Sequence, residues 1–146
     1  MNKLKIRFII NPISGKKHKD QLPRQIEEHL DHTRFDYEIF VSQYAGHASI
    51  LAKDAINQHV DILAVAGGDG SINEVGTPLI GTDMALAVIP CGSGNGLSHC
   101  MNLPLDPIKA LLLINDNQRC KIDTVNVNDL PFISISGTGY DAKVAE

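Results

Sequence analysis

The sequence has no apolar run of about 18 residues, the length a helix needs to cross a bilayer, so no transmembrane helix is expected. It has no basic run of five, and its 13 Lys and Arg are outnumbered by 17 Asp and Glu, for a formal charge of -4. That balance removes the electrostatic case for binding nucleic acid. The opening MNKLKIRFIINPIS lacks a long apolar core followed by a small-residue cleavage site, which points to the cytoplasm. Cysteine is scarce. Cys91, Cys100 and Cys120 are odd in number and widely spaced, which fits neither a disulfide framework nor a zinc pair and predicts three reduced, small, buried residues. The six histidines are scattered and build no metal site. Internal repeats and low-complexity segments are absent. What remains, 146 residues at 43% hydrophobic and 21% charged, is enough for a globular domain with a real core.

The chain alternates two kinds of segment. Lys5 to Ile10 is a short β-branched run that stops at Asn11-Pro12, and it predicts a buried strand. Leu22, Ile26 and Leu30 then recur at helical spacing behind Pro23, a helix to about Asp31. Tyr37 to Val41 reads as the second strand, and Ala48, Leu51, Ala52, Ala55 and Ile56 as the stripe of a second helix. Asp61 to Ala66 is the third strand, Ile72, Val75 and Leu79 continue as a helix, and Ala85 to Ile89 is the fourth strand. Asp106 before Pro107 pairs an N-cap with an N1 proline and opens a helix over 108–114. Strands alternating with helices imply a doubly wound, mainly parallel α/β sheet covered on both faces, over residues 1–118. From 119 to 146 the pattern changes. KIDTVNVNDLPFISISGTG alternates with period two around an Asn-Asp turn, which predicts a hairpin opening a second, incomplete β layer.

Two glycine loops leave strands at the edge where open α/β sheets bind ligands. The first is Gly67-Gly68-Asp69-Gly70 within AVAGGDGSINEV. Glycines there allow positive φ and converging N-H groups, and the helix that follows adds its dipole, so the expected target is a phosphate. Asp69 would repel a phosphate unless a cation lies between them or the carboxylate handles a proton, so it implies Mg²⁺ or general-base work. Ser71 and Glu74 form an S-x-x-E pattern, which a local capping box also explains. The second loop, PCGSGNG, sets Gly92, Ser93, Gly94 and Asn95 at the end of the neighbouring strand with further donors. A third stretch, NPISGKK at 11–17, offers the Asn11 amide and the cations Lys16 and Lys17. It is not a Walker loop, since no glycine lies five residues before Gly15 and no Ser or Thr follows Lys16. Gly137 to Ala142 matches G-x-G-x-x-A, but only four residues follow, too few for a dinucleotide-binding helix.

Taken together, NPISG, GGDGSINEV and IPCGSGNGL resemble the catalytic domain of diacylglycerol kinases and of the related sphingosine kinases and bacterial YegS-like lipid kinases. LPFISISGTGYDAKVAE resembles the segment that opens that family's C-terminal β-sandwich. The resemblance implies ATP-dependent phosphorylation of a lipid hydroxyl at a membrane surface, by a cytoplasmic protein peripheral to the inner face. By position, Asn11, Ser14, Gly15 and Lys16 fall in the first nucleotide loop, and Gly67, Gly68, Gly70, Ser71 and Glu74 in the signature. Gly92, Ser93, Gly94 and Asn95 fall in the second loop. Asp69 matches the signature carboxylate, with a catalytic role or one toward Mg²⁺. Asp141 aligns with an Asp associated with the lipid headgroup. Gly96 stands where many diacylglycerol kinases have Asp, which leans toward the GSGN of sphingosine kinases. Two other classes stay open: a soluble-metabolite kinase of the NAD kinase or phosphofructokinase type, and a nucleotide-binding module without catalysis.

Overall fold

A computed structural model describes residues 2–13 and 19–133. Ser14, Gly15, Lys16 and Lys17 of the first loop, the Gly137 to Ala142 stretch and Asp141 lie outside the described residues.

Four parallel strands form the sheet, in the order β2-β1-β3-β4: β1 (Leu4–Ile10), β2 (Phe35–Val41), β3 (Ile62–Gly67) and β4 (Ala85–Pro90). Because side chains alternate along a strand, each strand feeds both faces. Ile6, Phe8 and Ile10 of β1, with Ile62, Ala64 and Ala66 of β3, pack on one face under α1 (Leu22–His29) and α5 (Pro107–Asp116). Ile9, Leu63 and Val65 face the other way, under α2 (His47–Asn57) and α3 (Asp69–Gly76). Every residue of β3 is buried, as expected of a strand covered on both sides. Leu22 and Ile26 are fully buried on α1, each contributing about 1.5–3 kcal/mol through the apolar surface it removes from water. The Asp106 carboxylate accepts the Lys109 N-H at 3.0 Å and so caps α5, with Pro107 in its first turn.

The strand order reverses between β1 and β3. Their carboxyl ends therefore diverge into loops that run in opposite directions, and the crevice at that point is where this architecture receives ligands. A short helix, α4 (Gly96–Cys100), follows the second glycine loop and was not evident from the sequence. An antiparallel hairpin, β5 (Val125–Val127) and β6 (Leu130–Phe132), turns through Asn128 and Asp129 at φ 50° and 63°. Positive φ at both turn residues matches the right-handed twist of a tight hairpin, which is why Asn-Asp is tolerated there.

Three sequence expectations are corrected. Cys91 is buried, but Cys100, in the last turn of α4, and Cys120, after α5, are exposed. Gly67 and Gly68 do not adopt positive φ: Gly67 ends β3, and Gly68 is extended at φ -96° and ψ -171°. The capping box does not form, since no side chain caps α3. The apolar-looking first strand also hides a charge. Arg7, 1% exposed, donates to Glu38 of β2 at 2.6 Å and to Asp54 of α2 at 2.7 Å. It also donates to Gln58 and to the Leu51 carbonyl, with its guanidinium over the Phe40 ring. Paired on every side, this buried cation ties β1 to α2, and the hydrogen bond from Arg7 holds the Asp54 carboxyl below its usual range.

Candidate nucleotide site

Three strand ends converge at the carboxyl edge. Asn11 follows β1, and its amide nitrogen donates to the Ser71 hydroxyl at 2.8 Å, reaching the first turn of α3. Its side-chain oxygen accepts the Ile13 N-H at 3.0 Å, and its own N-H donates to Ala66 of β3. One residue thus joins the loop after β1 to the glycine signature after β3.

The two glycine loops touch backbone to backbone. A Cβ placed on Gly92 would lie 2.5 Å from the Gly68 Cα, and one on Gly68 would lie 3.2 Å from the Gly92 Cα. The glycines here provide close approach rather than left-handed backbone. Gly70, by contrast, has open space where a side chain would be and is exposed. A Cβ on Gly94 would sit 3.0 Å from the Asp69 Oδ2, so the Asp69 carboxylate reaches from the first loop across the second. The half-buried Asp69 is the first residue of α3, where the N-terminal N-H groups of a helix lack intrahelical partners and no side chain caps them. That end offers hydrogen-bond donors and the positive pole of the dipole to an anion.

Inside the second loop, Asn95 takes the left-handed conformation at φ 53° and closes the turn on itself. Its Oδ1 accepts the Gly92 N-H at 3.0 Å, and its amide nitrogen donates to the Gly92 carbonyl at 2.8 Å. Ser93 and Gly94 remain exposed at the tip. Glu74 is not turned toward its own helix start. Its carboxylate accepts the N-H groups of Ala48 at 3.0 Å and Ser49 at 3.4 Å, so it caps the first turn of α2.

Two residues absent from the sequence-based set stand at this edge. Lys19, 9% exposed, donates from Nζ to the Asn11 carbonyl at 2.5 Å. Burial lowers its pKa from the usual lysine range, while the neighbouring Cys91 pushes the other way. Its signal was the cluster KKHK, in which the last lysine precedes Asp20 and the apolar helix face. Ser42, buried after β2, donates its N-H to the Ile10 carbonyl at 2.9 Å and so stands beside Asn11. No cluster of three or more His, Cys, Asp or Glu side chains suited to a metal ion occurs among the described residues. The Asp69 carboxylate fits Mg²⁺ in the form that ion commonly takes, with one or two carboxylates and the remaining positions filled by phosphate oxygens and water.

Comparison with known proteins agrees with this geometry. A diacylglycerol kinase of Staphylococcus carnosus is 31% identical over 141 residues, covering 95% of this chain and 46% of that protein. One from Staphylococcus aureus is 31% identical over 142 residues, covering 95% and 45%. The crystal structure of a diacylglycerol kinase from Bacillus anthracis superposes with a TM-score of 0.77 at 27% identity, over 88% of this chain and 45% of that one. The chain thus spans about half the length of the curated relatives it matches. Residues 5–127 match the model of the diacylglycerol kinase catalytic domain, and with the loop arrangement described above this chain belongs to that family.

Proposed function

We propose that this protein is the nucleotide-binding portion of an ATP-dependent lipid kinase, which transfers the γ-phosphate to a lipid hydroxyl such as that of diacylglycerol or a sphingoid base. The observation that carries the reading is Asp69 reaching between two glycine loops that touch through bare backbone. The uncapped start of α3 binds the phosphates through N-H groups, and the lack of a side chain at Gly70 lets them approach. Asn11 and Ser71 hold the loops after β1 and β3 in one register, and the match of NPISG to the family's first nucleotide loop assigns Ser14, Gly15 and Lys16 to the nucleotide. When bound, Mg²⁺ offsets charge on the transferring phosphoryl group. Asp69 either faces that cation or takes the proton of the acceptor hydroxyl, and in both roles it lies against the terminal phosphate. Asp141 belongs to the lipid side of the site. The protein works in the cytoplasm and meets its substrate peripherally at the inner membrane face. None of the helices among the described residues is long and apolar enough to cross a bilayer.

The test is phosphate transfer from labelled ATP by the purified gene product, with vesicles holding diacylglycerol, a sphingoid base or neither, and with NAD as a soluble competitor. Asp69→Asn is expected to lower lipid labelling by about 10²–10³-fold, the scale of losing one preorganised charge-stabilising group. Wild-type rates in that variant, or label found solely in NADP, would sink the lipid kinase reading.

A further inference from the structure

Asn73 and Gly76 are poor helix formers, yet both stand on α3, the helix that begins with Asp69. Asparagine competes with the helical backbone for hydrogen bonds, and glycine leaves its segment of chain unrestrained. Three residues apart, the two share one helix face, and both give way to the same residue. The half-buried Asn73 accepts the Ile133 N-H through Oδ1 at 2.9 Å, across 60 positions of sequence. A Cβ on Gly76 would lie 2.0 Å from the Ile133 Cδ1, so the space left by the missing side chain is the space that the isoleucine fills. From there Ile133 joins Leu86, Val88 and Leu97 against the core beneath α2 and α3. The hairpin just before it is different, since Val125, Val127 and Leu130 are all exposed. After that exposed hairpin the chain meets the α/β layer at Ile133, and α3 is the element that receives it.

We propose that Asn73 is a positioning residue for the transfer step: it sets where the chain enters the second β layer relative to Asp69, and so where an acceptor hydroxyl held on that side meets the terminal phosphate. The inference rests on the lipid kinase reading above and adds what keeps the two sides in register. Asn73 follows Asp69 by four residues, about 6 Å of helix at ~1.5 Å per residue, so its bond acts one turn from the carboxylate and on the same face. The side chain works through the Ile133 backbone rather than on a reacting atom. Reacting atoms must come within about 3–3.5 Å of each other, and a misplacement of about 1 Å can cost on the order of 10²-fold in rate. A bond that fixes a backbone N-H one helical turn from Asp69 controls placement on that scale.

Three measurements on the purified gene product test the proposal, using wild type, Asn73→Ala and Asn73→Asp, with thermal unfolding followed for each. Labelled ATP and vesicles holding diacylglycerol or a sphingoid base give kcat for the lipid, calorimetry gives ATP affinity, and ATP turnover without vesicles gives the rate at which water takes the phosphate. Alanine is the better helix former, so Asn73→Ala is expected to keep its fold. Its kcat for lipid is expected to fall roughly 10–100-fold, while ATP affinity and transfer to water stay at the wild-type values. A purely structural role would lower all three together. Asn73→Asp keeps an oxygen that accepts the Ile133 N-H and is expected to recover most of the lost kcat. Equal kcat in wild type and Asn73→Ala, a parallel loss of ATP affinity and kcat, loss of the fold itself, or no recovery in Asn73→Asp overturns the positioning role while the kinase reading stands. A wild-type protein that labels neither lipid overturns that reading and this inference with it.

Discussion

The two glycine loops look alike in sequence and behave differently in the fold. The loop after β4 is self-contained: Asn95 turns back to satisfy both the N-H and the carbonyl of Gly92, and its backbone goes left-handed to do so. The loop after β3 keeps an ordinary backbone, runs straight into an eight-residue helix and leaves that helix start without a side-chain cap. In one loop the Gly92 peptide groups are met from within, while in the other the N-H groups at the helix start have no side-chain cap. Glycine therefore has two separate uses here, contact between backbones at Gly68 and Gly92 and access at Gly70.

Substitutions can break that distinction. Gly92→Ala would press a methyl into the Gly68 backbone, where no flexible side chain can yield, and is expected to cost about 3 kcal/mol in urea denaturation and to abolish ATP binding. Asn95→Ala removes two hydrogen bonds and the residue that accepts positive φ, for about 2 kcal/mol, and loosens the tip bearing Ser93 and Gly94. Gly68→Ala meets the same contact at a longer distance and is expected to cost about 1 kcal/mol by the same measurement. Gly70→Ala should separate stability from binding. With open space around it in the first turn of α3, the methyl should raise stability by about 0.5 kcal/mol while weakening ATP in calorimetry. A Gly70→Ala protein that is both more stable and fully competent to bind ATP would remove this loop from the phosphate site.

The sheet was readable because strands buried on both faces must be apolar throughout, as Ile62 to Ala66 are, and because Asp106-Pro107 is a helix start whose partner, Lys109, lies three residues away. The positions of the loops followed from the same alternation. What the sequence hid were partnerships made across the chain. Glu74 sits at the spacing of a local cap, but packing of α3 against α2 brings two unpaired N-H groups of the neighbouring helix to its carboxylate. Arg7 reads as an interruption in an apolar run until the fold surrounds it with Glu38, Asp54 and Gln58, residues 31 to 51 positions away. Cys100 and Cys120 show the limit of composition, since a small apolar residue is buried only if its helix face or coil happens to be covered.

The helix behind the signature is also moored at its far side. The Asn73 side chain accepts the Ile133 N-H at 2.9 Å, and the Ile133 side chain occupies the space above Gly76, where a Cβ would come within 2.0 Å of its Cδ1. Any tug on the hairpin is passed through those two anchors to the same helix that holds Asp69 at its other end. A single methyl at position 76 would push the Ile133 side chain aside and loosen one of the two anchors, without touching the phosphate loop itself.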